Sequence, residues 1–154
     1  MDFSTVIYRK LLAGFITAFT FTLGTTLVFI FGFDAYESLG GGIIGISLVI
    51  AFYATPVIFL YGIPVSWGIE YIFGKKSISS DVFYIAIHTV FGMASYFIFW
   101  EWGGVIYGLI AAFLFAISDR ILSRFKMTDK LIIASIVIPI GMYALFTLLI
   151  AAFN

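Results

Sequence analysis

The chain has 154 residues, 63% of them hydrophobic and 10% charged, with a formal net charge of zero. An average soluble domain carries roughly 25% charged residues, so this composition excludes an ordinary soluble fold, and the lack of a net positive field excludes nucleic acid as a partner. No cysteine is present, which removes disulfides, thiolate metal sites and cysteine-linked lipids.

Five stretches contain no Asp, Glu, Lys or Arg: 11–33, 43–69, 82–100, 102–118 and 131–153. A hydrocarbon core of ~30 Å takes about 17–25 helical residues, and each stretch is read as a span. The first follows Arg9 and Lys10. It exceeds the ~7–15-residue core of a cleavable signal and no Ala-x-Ala pattern follows it, so a retained helix is expected. Leu12, Ile16, Phe19, Leu23 and Ile30 form a bulky ridge along it, with Gly14, Thr17, Ala18, Phe21 and Thr25 on the other side. Helices associate in lipid by close packing at small residues, so the ridge is expected to face lipid and the small side other helices.

A connection with Asp34 and Glu37 ends in Gly40-Gly41-Gly42 and leads to the second span, where Pro56 and Pro64 each remove a backbone donor. Prolines favour kinks and are tolerated in membrane helices. After the connection from Glu70 to Asp81, the third span holds His88, the only histidine. At helical spacing it shares a face with Tyr84, Gly92 and Ser95, which makes these four a candidate polar stripe. An ionisable residue at membrane depth is a functional candidate by default. The structural alternative is a hydrogen bond to Tyr61 or Ser66 of the second span, and no membrane carboxylate is expected within reach of it.

Glu101 decides the span count. One helix over 82–118 would be roughly 55 Å long and would set Arg120–Lys130 on the opposite side from Lys75 and Lys76. Two short spans joined through Gly103-Gly104 keep all eight basic residues (Arg9, Lys10, Lys75, Lys76, Arg120, Arg124, Lys126 and Lys130) together. The fourth span carries Gly104-x-x-x-Gly108-x-x-x-Ala112-x-x-x-Ala116, a candidate packing groove for a helix of this chain or for a homo- or hetero-oligomer. The fifth contains Pro139.

Lys and Arg are retained on the cytoplasmic side during insertion. The expected topology therefore has the N-terminus inside, Asp34, Glu37 and Glu101 outside, and the C-terminal end outside. Tyr8, Trp67 and Tyr71 fall where inner interfacial anchors belong, and Tyr36, Trp100, Trp102 and Tyr107 at the outer interface. Glu70, Asp81 and Asp119 read as solvated charges near the inner surface. Arg120 to Lys126 mixes basic and apolar residues and suits the anionic inner leaflet, at roughly 1 kcal/mol per basic residue.

The segment Thr55-Pro56-Val57-Ile58-Phe59-Leu60-Tyr61-Gly62-Ile63-Pro64-Val65-Ser66, with the basic connection Asp119–Lys130, resembles small uncharacterised multipass membrane proteins of Gram-positive bacteria. The resemblance implies a multipass helical fold and brings no activity or site. No HExxH, GxSxG, P-loop or paired carboxylate at catalytic spacing occurs.

These readings converge on an all-α, polytopic transmembrane helix bundle: one integral domain in the cell membrane with the lipid bilayer as its constant partner, and no enzyme activity, metal or cofactor expected. The first functional expectation is a non-catalytic accessory or interaction protein using the groove on the fourth span. The alternative is a small transporter or channel subunit with a polar path around His88.

Overall fold

Long apolar runs with few breakers favour helices, and the computed structural model is helical throughout, with no strand among the described residues. It describes residues 3–32, 42–73, 78–100 and 102–125, with the isolated positions 133, 137, 141, 144 and 145. Helix α1 spans Phe3–Gly32, and α2 (Gly42–Val57), a π-helical turn (Ile58–Gly62) and α3 (Ile63–Phe73) form one continuous second rod. Helix α4 (Ile78–Phe91), a 3-10 turn (Gly92–Ala94) and α5 (Ser95–Phe99) form a third rod, and α6 (Trp102–Ser123) is the fourth.

The rods run up and down in a ring. Arg9 meets Asp119 and Phe21 meets Tyr107, so α1 is antiparallel to α6. Arg9 meets Glu70, Phe15 meets Phe59 and Thr26 meets Ser47, so the second rod is antiparallel to α1. Ser66 with Tyr84, and Tyr61 with the carbonyl of Phe91, place the third rod beside the second. Ser95 bonding the Gly104 carbonyl closes the ring onto α6. Phe115 of α6 packs against Ala13 and Ala18 of α1 and Ile58 of the π-turn in the apolar core.

Three helical segments, Ser4–Phe29, Gly45–Ile72 and Gly103–Ser123, are long and apolar enough to cross a membrane. The third rod runs from Ile78 to Phe99 but breaks α geometry at Gly92–Ala94. The second rod breaks at the π-turn, which sits between two prolines: Pro64 has no N–H for the Leu60 carbonyl four residues back, as Pro56 has none for Phe52. Extra-residue turns of this kind recur where a helix loses its regular ladder.

Each helix extends past the expected span at the end that carries the charges: α1 begins at Phe3, α3 reaches Phe73, α4 begins at Ile78 and α6 reaches Ser123. Charged side chains that bound an uninterrupted apolar run therefore belong to the helices. The turn into α6 also differs from expectation. Trp100 takes the left-handed conformation (φ 54°), its N–H bonding the Tyr96 carbonyl, while Gly103 and Gly104 lie in the first turn of α6. Of the α1 ridge, Ile16 is exposed as anticipated, but Leu12 is buried; Gly14, Thr17, Ala18 and Phe21 on the small side are buried. Ile30 lies outside the described side chains. So do Asp34, Tyr36, Glu37, Gly40 to Gly42, Lys75, Lys76, Glu101, Trp102, Lys126, Asp129, Lys130 and nearly all of the 131–153 stretch with Pro139. Ile133, Val137 and Leu145 of that stretch are exposed, at a spacing that puts them on one helical face.

The groove on α6 is filled by the third rod. A Cβ on Gly92 would strike the Gly108 carbonyl and the Ala112 side chain, and one on Gly108 would strike Ser95 and the Gly92 carbonyl. Backbone cannot yield as a flexible side chain does. Gly108→Leu is therefore expected to destabilise the fold by roughly 1–3 kcal/mol or more, the usual cost of overpacking. Gly103→Ala, with nothing within 4 Å of the added carbon, is expected to be silent. Unfolding of both variants in mixed detergent–lipid micelles checks the contrast.

Candidate functional site

The site is built from three stripes of helical positions. On α6, Asp119 follows Ala116 by three positions and so continues the face of Gly108 and Ala112. On the second rod, Gly62, Ser66 and Glu70 repeat every fourth residue; on the third, Tyr84, His88 and Gly92 do the same. Helix α1 contributes Arg9 and Lys10. Consecutive helical residues point about 100° apart, which lets one reach toward α6 and the second rod while the other does likewise from the adjacent angle.

These residues meet in a buried ionic cluster. Arg9 Nη2 lies 2.6 Å from Glu70 Oε2 and Arg9 Nε lies 2.7 Å from Asp119 Oδ1. Lys10 Nζ sits 3.1 Å from Glu70 Oε2 and 3.1 Å from Asp119 Oδ2, and it donates to Ser66 Oγ at 2.5 Å. The Tyr84 hydroxyl donates to Asp119 Oδ2 at 2.6 Å, with the Ser66 hydroxyl 2.5 Å from it. Arg9, Lys10 and Asp119 are each only 1% exposed. Two cations thus face two carboxylates, and the cluster is formally neutral.

Arg120 forms the outer flank. Its guanidinium lies 3.7 Å from the Tyr84 ring centroid, a cation–π stack, and its Nη1 is 3.4 Å from Asp81 Oδ1. Asp81 also takes Arg124 at 3.4 Å. Asp81, in the first turn of α4, complements the positive end of that helix.

The expected polar stripe lies inside the bundle: Tyr84, His88, Gly92 and Ser95 are all buried. His88 is held between two rings, 5.8 Å from the Tyr84 centroid at 12° and 5.2 Å from that of Phe115 at 24°. The anticipated hydrogen bond to Tyr61 or Ser66 is not among its contacts. Tyr61 donates to the Phe91 carbonyl at 2.9 Å, and Ser66 is engaged by Lys10, Tyr84 and Asp119. His88 Nδ1 is buried and makes no hydrogen bond; the same is true of Arg9 Nη1, Thr17 Oγ1 and Arg120 Nε.

Three sequence expectations are corrected here. Glu70 and Asp119 are interior side chains rather than solvated surface charges. Arg9 and Lys10 are inside α1 rather than ahead of its apolar part. A carboxylate is therefore present at the depth of the polar stripe, joined to it through Tyr84. The reason is common to all three: a charge that finds opposite charge and hydroxyl partners within the bundle is removed from lipid and water alike, and run length cannot register that pairing. The spacing Ala116-x-x-Asp119 and the repeat Gly62, Ser66, Glu70 were the available signals.

Two cavities adjoin the stripe. One of about 40 Å³ is walled by His88, Tyr61, Gly92, Ser95, Gly108 and Phe115, among others. A second of about 320 Å³ lies between α1, α2 and α6, reaching Phe29 and Gly103, and shares Val57, Ile58, Ser95, Gly108 and Ala111 with the first. Among the described residues no group of three His, Asp or Glu side chains is placed to hold a metal ion. No family model, curated protein or solved structure matches this chain.

Removing one partner of a buried ion pair leaves an uncompensated charge and costs about 3–5 kcal/mol. Asp119→Ala strips both Arg9 and Lys10 of a carboxylate, so a loss in that range is expected. Replacing Arg9 and Glu70 together by Met is expected to cost clearly less than the sum of the two single replacements. A double-mutant cycle on unfolding in micelles measures both.

Proposed function

We propose that the protein is a five-span integral protein of the cell membrane, N-terminus cytoplasmic, acting as a small transporter or channel subunit along its buried polar column. The observation that carries this reading is the column itself. Arg9, Lys10, Glu70 and Asp119 gather at one end of the bundle, Ser66 and Tyr84 extend them inward, and His88 and Ser95 continue beside two adjacent cavities. Ionisable groups at membrane depth that face the bundle interior and pair with one another mark ion and proton pathways.

Support for the membrane setting comes from the outer faces. Phe31, Phe52, Leu60, Phe97 and Ile72 are all more than two-thirds exposed, an apolar exterior around a polar interior. Orientation rests on the basic residues: Arg9, Lys10, Arg120 and Arg124 share one end of the bundle, which the positive-inside rule assigns to the cytoplasm. The reading as a non-catalytic accessory protein has less to stand on, because the α6 groove that would receive a partner is taken up by the third rod.

Topology reporters fused after Glu37, Glu101 and Asn154 are expected to report the outer side, and those within 74–80 and 126–130 the inner side. The chain has no cysteine of its own, so single Cys residues placed at 84, 88 and 95 provide a clean accessibility test. Membrane-impermeant thiol reagents are expected to modify at least the outermost position, 95; complete inertness of all three in folded protein would sink the pathway.

A further inference from the structure

The smaller cavity is apolar over nearly all of its surface, but three polar side chains border it. It lies where the second and third rods both abandon α geometry, at Ile58–Gly62 and Gly92–Ala94, against Gly108 to Phe115 of α6. Its polar wall residues are Tyr61, His88 and Ser95. Both hydroxyls already donate their protons, Tyr61 to the Phe91 carbonyl and Ser95 to the Gly104 carbonyl at 2.8 Å, which leaves their oxygens as acceptors. His88 Nδ1 makes no hydrogen bond, on a side chain 2% exposed. Its ring is pinned between Tyr84 and Phe115 and cannot swing to another partner.

An imidazole nitrogen without a partner in apolar surroundings carries a desolvation cost. A buried water needs about 10–15 Å³ of such space and two to four polar partners. The cavity of about 40 Å³ meets the first condition, and the wall residues His88, Tyr61 and Ser95 are the polar side chains that bear on the second. It shares wall residues with the 320 Å³ cavity, which extends toward the end of the bundle that holds Phe29 and Gly103.

We infer that this cavity binds water on His88 Nδ1 and that this hydrated imidazole restricts the path to protons; the second half of the inference rests on the transport reading above. A metal cation would need several oxygen ligands at fixed distances. The cavity wall offers one nitrogen and two hydroxyls among otherwise apolar groups, and no carboxylate. A proton needs only the water and the base. Hydronium in the cavity gives its proton to Nδ1, leaving neutral water and an imidazolium, and the reverse transfer restores both. The charged and titratable groups around this step are Tyr61 from the second rod, Tyr84 on its own helix, Asp119 and Arg120 from α6, Arg9 and Lys10 from α1, and Glu70 from α3. Arg9 and Lys10 are balanced by Glu70 and Asp119, and Arg120 is paired with Asp81 of α4 at 3.4 Å, so these groups set no net barrier against an arriving proton.

His88 is the only histidine, so histidine labelled with ¹⁵N gives one imidazole signal from the whole protein. Solid-state NMR in lipid bilayers is expected to show magnetisation passing from water to the His88 ring. Flux is measured in parallel on vesicles holding a pH dye or sodium- and potassium-sensitive dyes. Proton flux without sodium or potassium flux is expected, falling at least tenfold in Ala111→Leu, which narrows the cavity from α6. His88→Gln, which keeps a side chain of polar character but no proton-accepting imidazole, guards against a folding defect in the first variant and is expected to lose flux equally. A ring that receives nothing from water overturns the site. A hydrated ring with sodium or potassium flux overturns the proton restriction. A hydrated ring with no flux of any ion upholds the water site and overturns the transport reading.

Discussion

Arg9 and Lys10 on one helix face Glu70 and Asp119 on two others, all but removed from solvent, and this neutral exchange of charge is the constraint on which the rest of the bundle depends. Burying any one of the four alone is prohibitive, and burying all four is tolerable only when the distances close simultaneously. Each contact therefore fixes a register: Arg9 sets α1 against both α3 and α6, and Lys10 repeats the constraint through the same Glu70 oxygen and the other Asp119 oxygen. Tyr84 adds α4 by donating to the same Asp119 oxygen that Lys10 approaches. In a lipid solvent, apolar burial gives helices little preference for one another, so polar contacts of this kind carry the specificity that a hydrophobic core would supply in water.

The cluster closes only because the helices come close elsewhere. Asp119 reaches Tyr84 because the third rod and α6 lie backbone to backbone at Gly92 and Gly108, with Ala112 and Ala116 continuing the narrow seam. On the opposite side, Gly14 admits the Phe59 ring, which would sit about 3.2 Å from an added Cβ. The seam and the cluster are thus one device, with small residues setting the spacing and charges setting the rotation. The smaller cavity lies just beyond the cluster, bordered by the π-turn, by Gly92 of the 3-10 turn and by α6.

Much of the fold was legible in the sequence, because apolar run length is a direct physical requirement of a helix in lipid. The four described rods fall on the first four apolar stretches, and the stripe Tyr84, His88, Gly92, Ser95 lies on one buried face at the spacing that defined it. The α6 seam was likewise readable from its fourfold repeat. Charge was misread, since a window free of charged residues cuts each helix at the first Lys, Arg, Asp or Glu. Arg9, Lys10, Glu70 and Asp119 sit just beyond such cuts, and only their pairing across separate helices explains their burial. That pairing spans 61 to 110 positions, which no local pattern contains. Leu12 shows the same limit on a smaller scale: it belongs to the bulky ridge by type but is buried one turn above Arg9, where α1 is surrounded.

A structural role accounts for the register that the cluster fixes and leaves some of this interior unexplained. Replacing a buried ion pair by well-packed apolar residues is often neutral or stabilising, and a bundle in lipid can be specified by small-residue seams such as the one the third rod and α6 already share. The cluster also leaves hydrogen-bonding capacity unused at Arg9 Nη1, and the stripe leaves it unused at His88 Nδ1. What the arrangement supplies beyond packing is a set of exchangeable protons, on Lys10, Ser66 and Tyr84, in hydrogen-bonding contact with one carboxylate at the depth of an imidazole. Between Tyr84 and the larger cavity the imidazole is the one group whose ordinary pKa lies near neutrality. On the transport reading proposed above, the path from the cluster to the cavities runs through His88, which lies between the charges and the cavities.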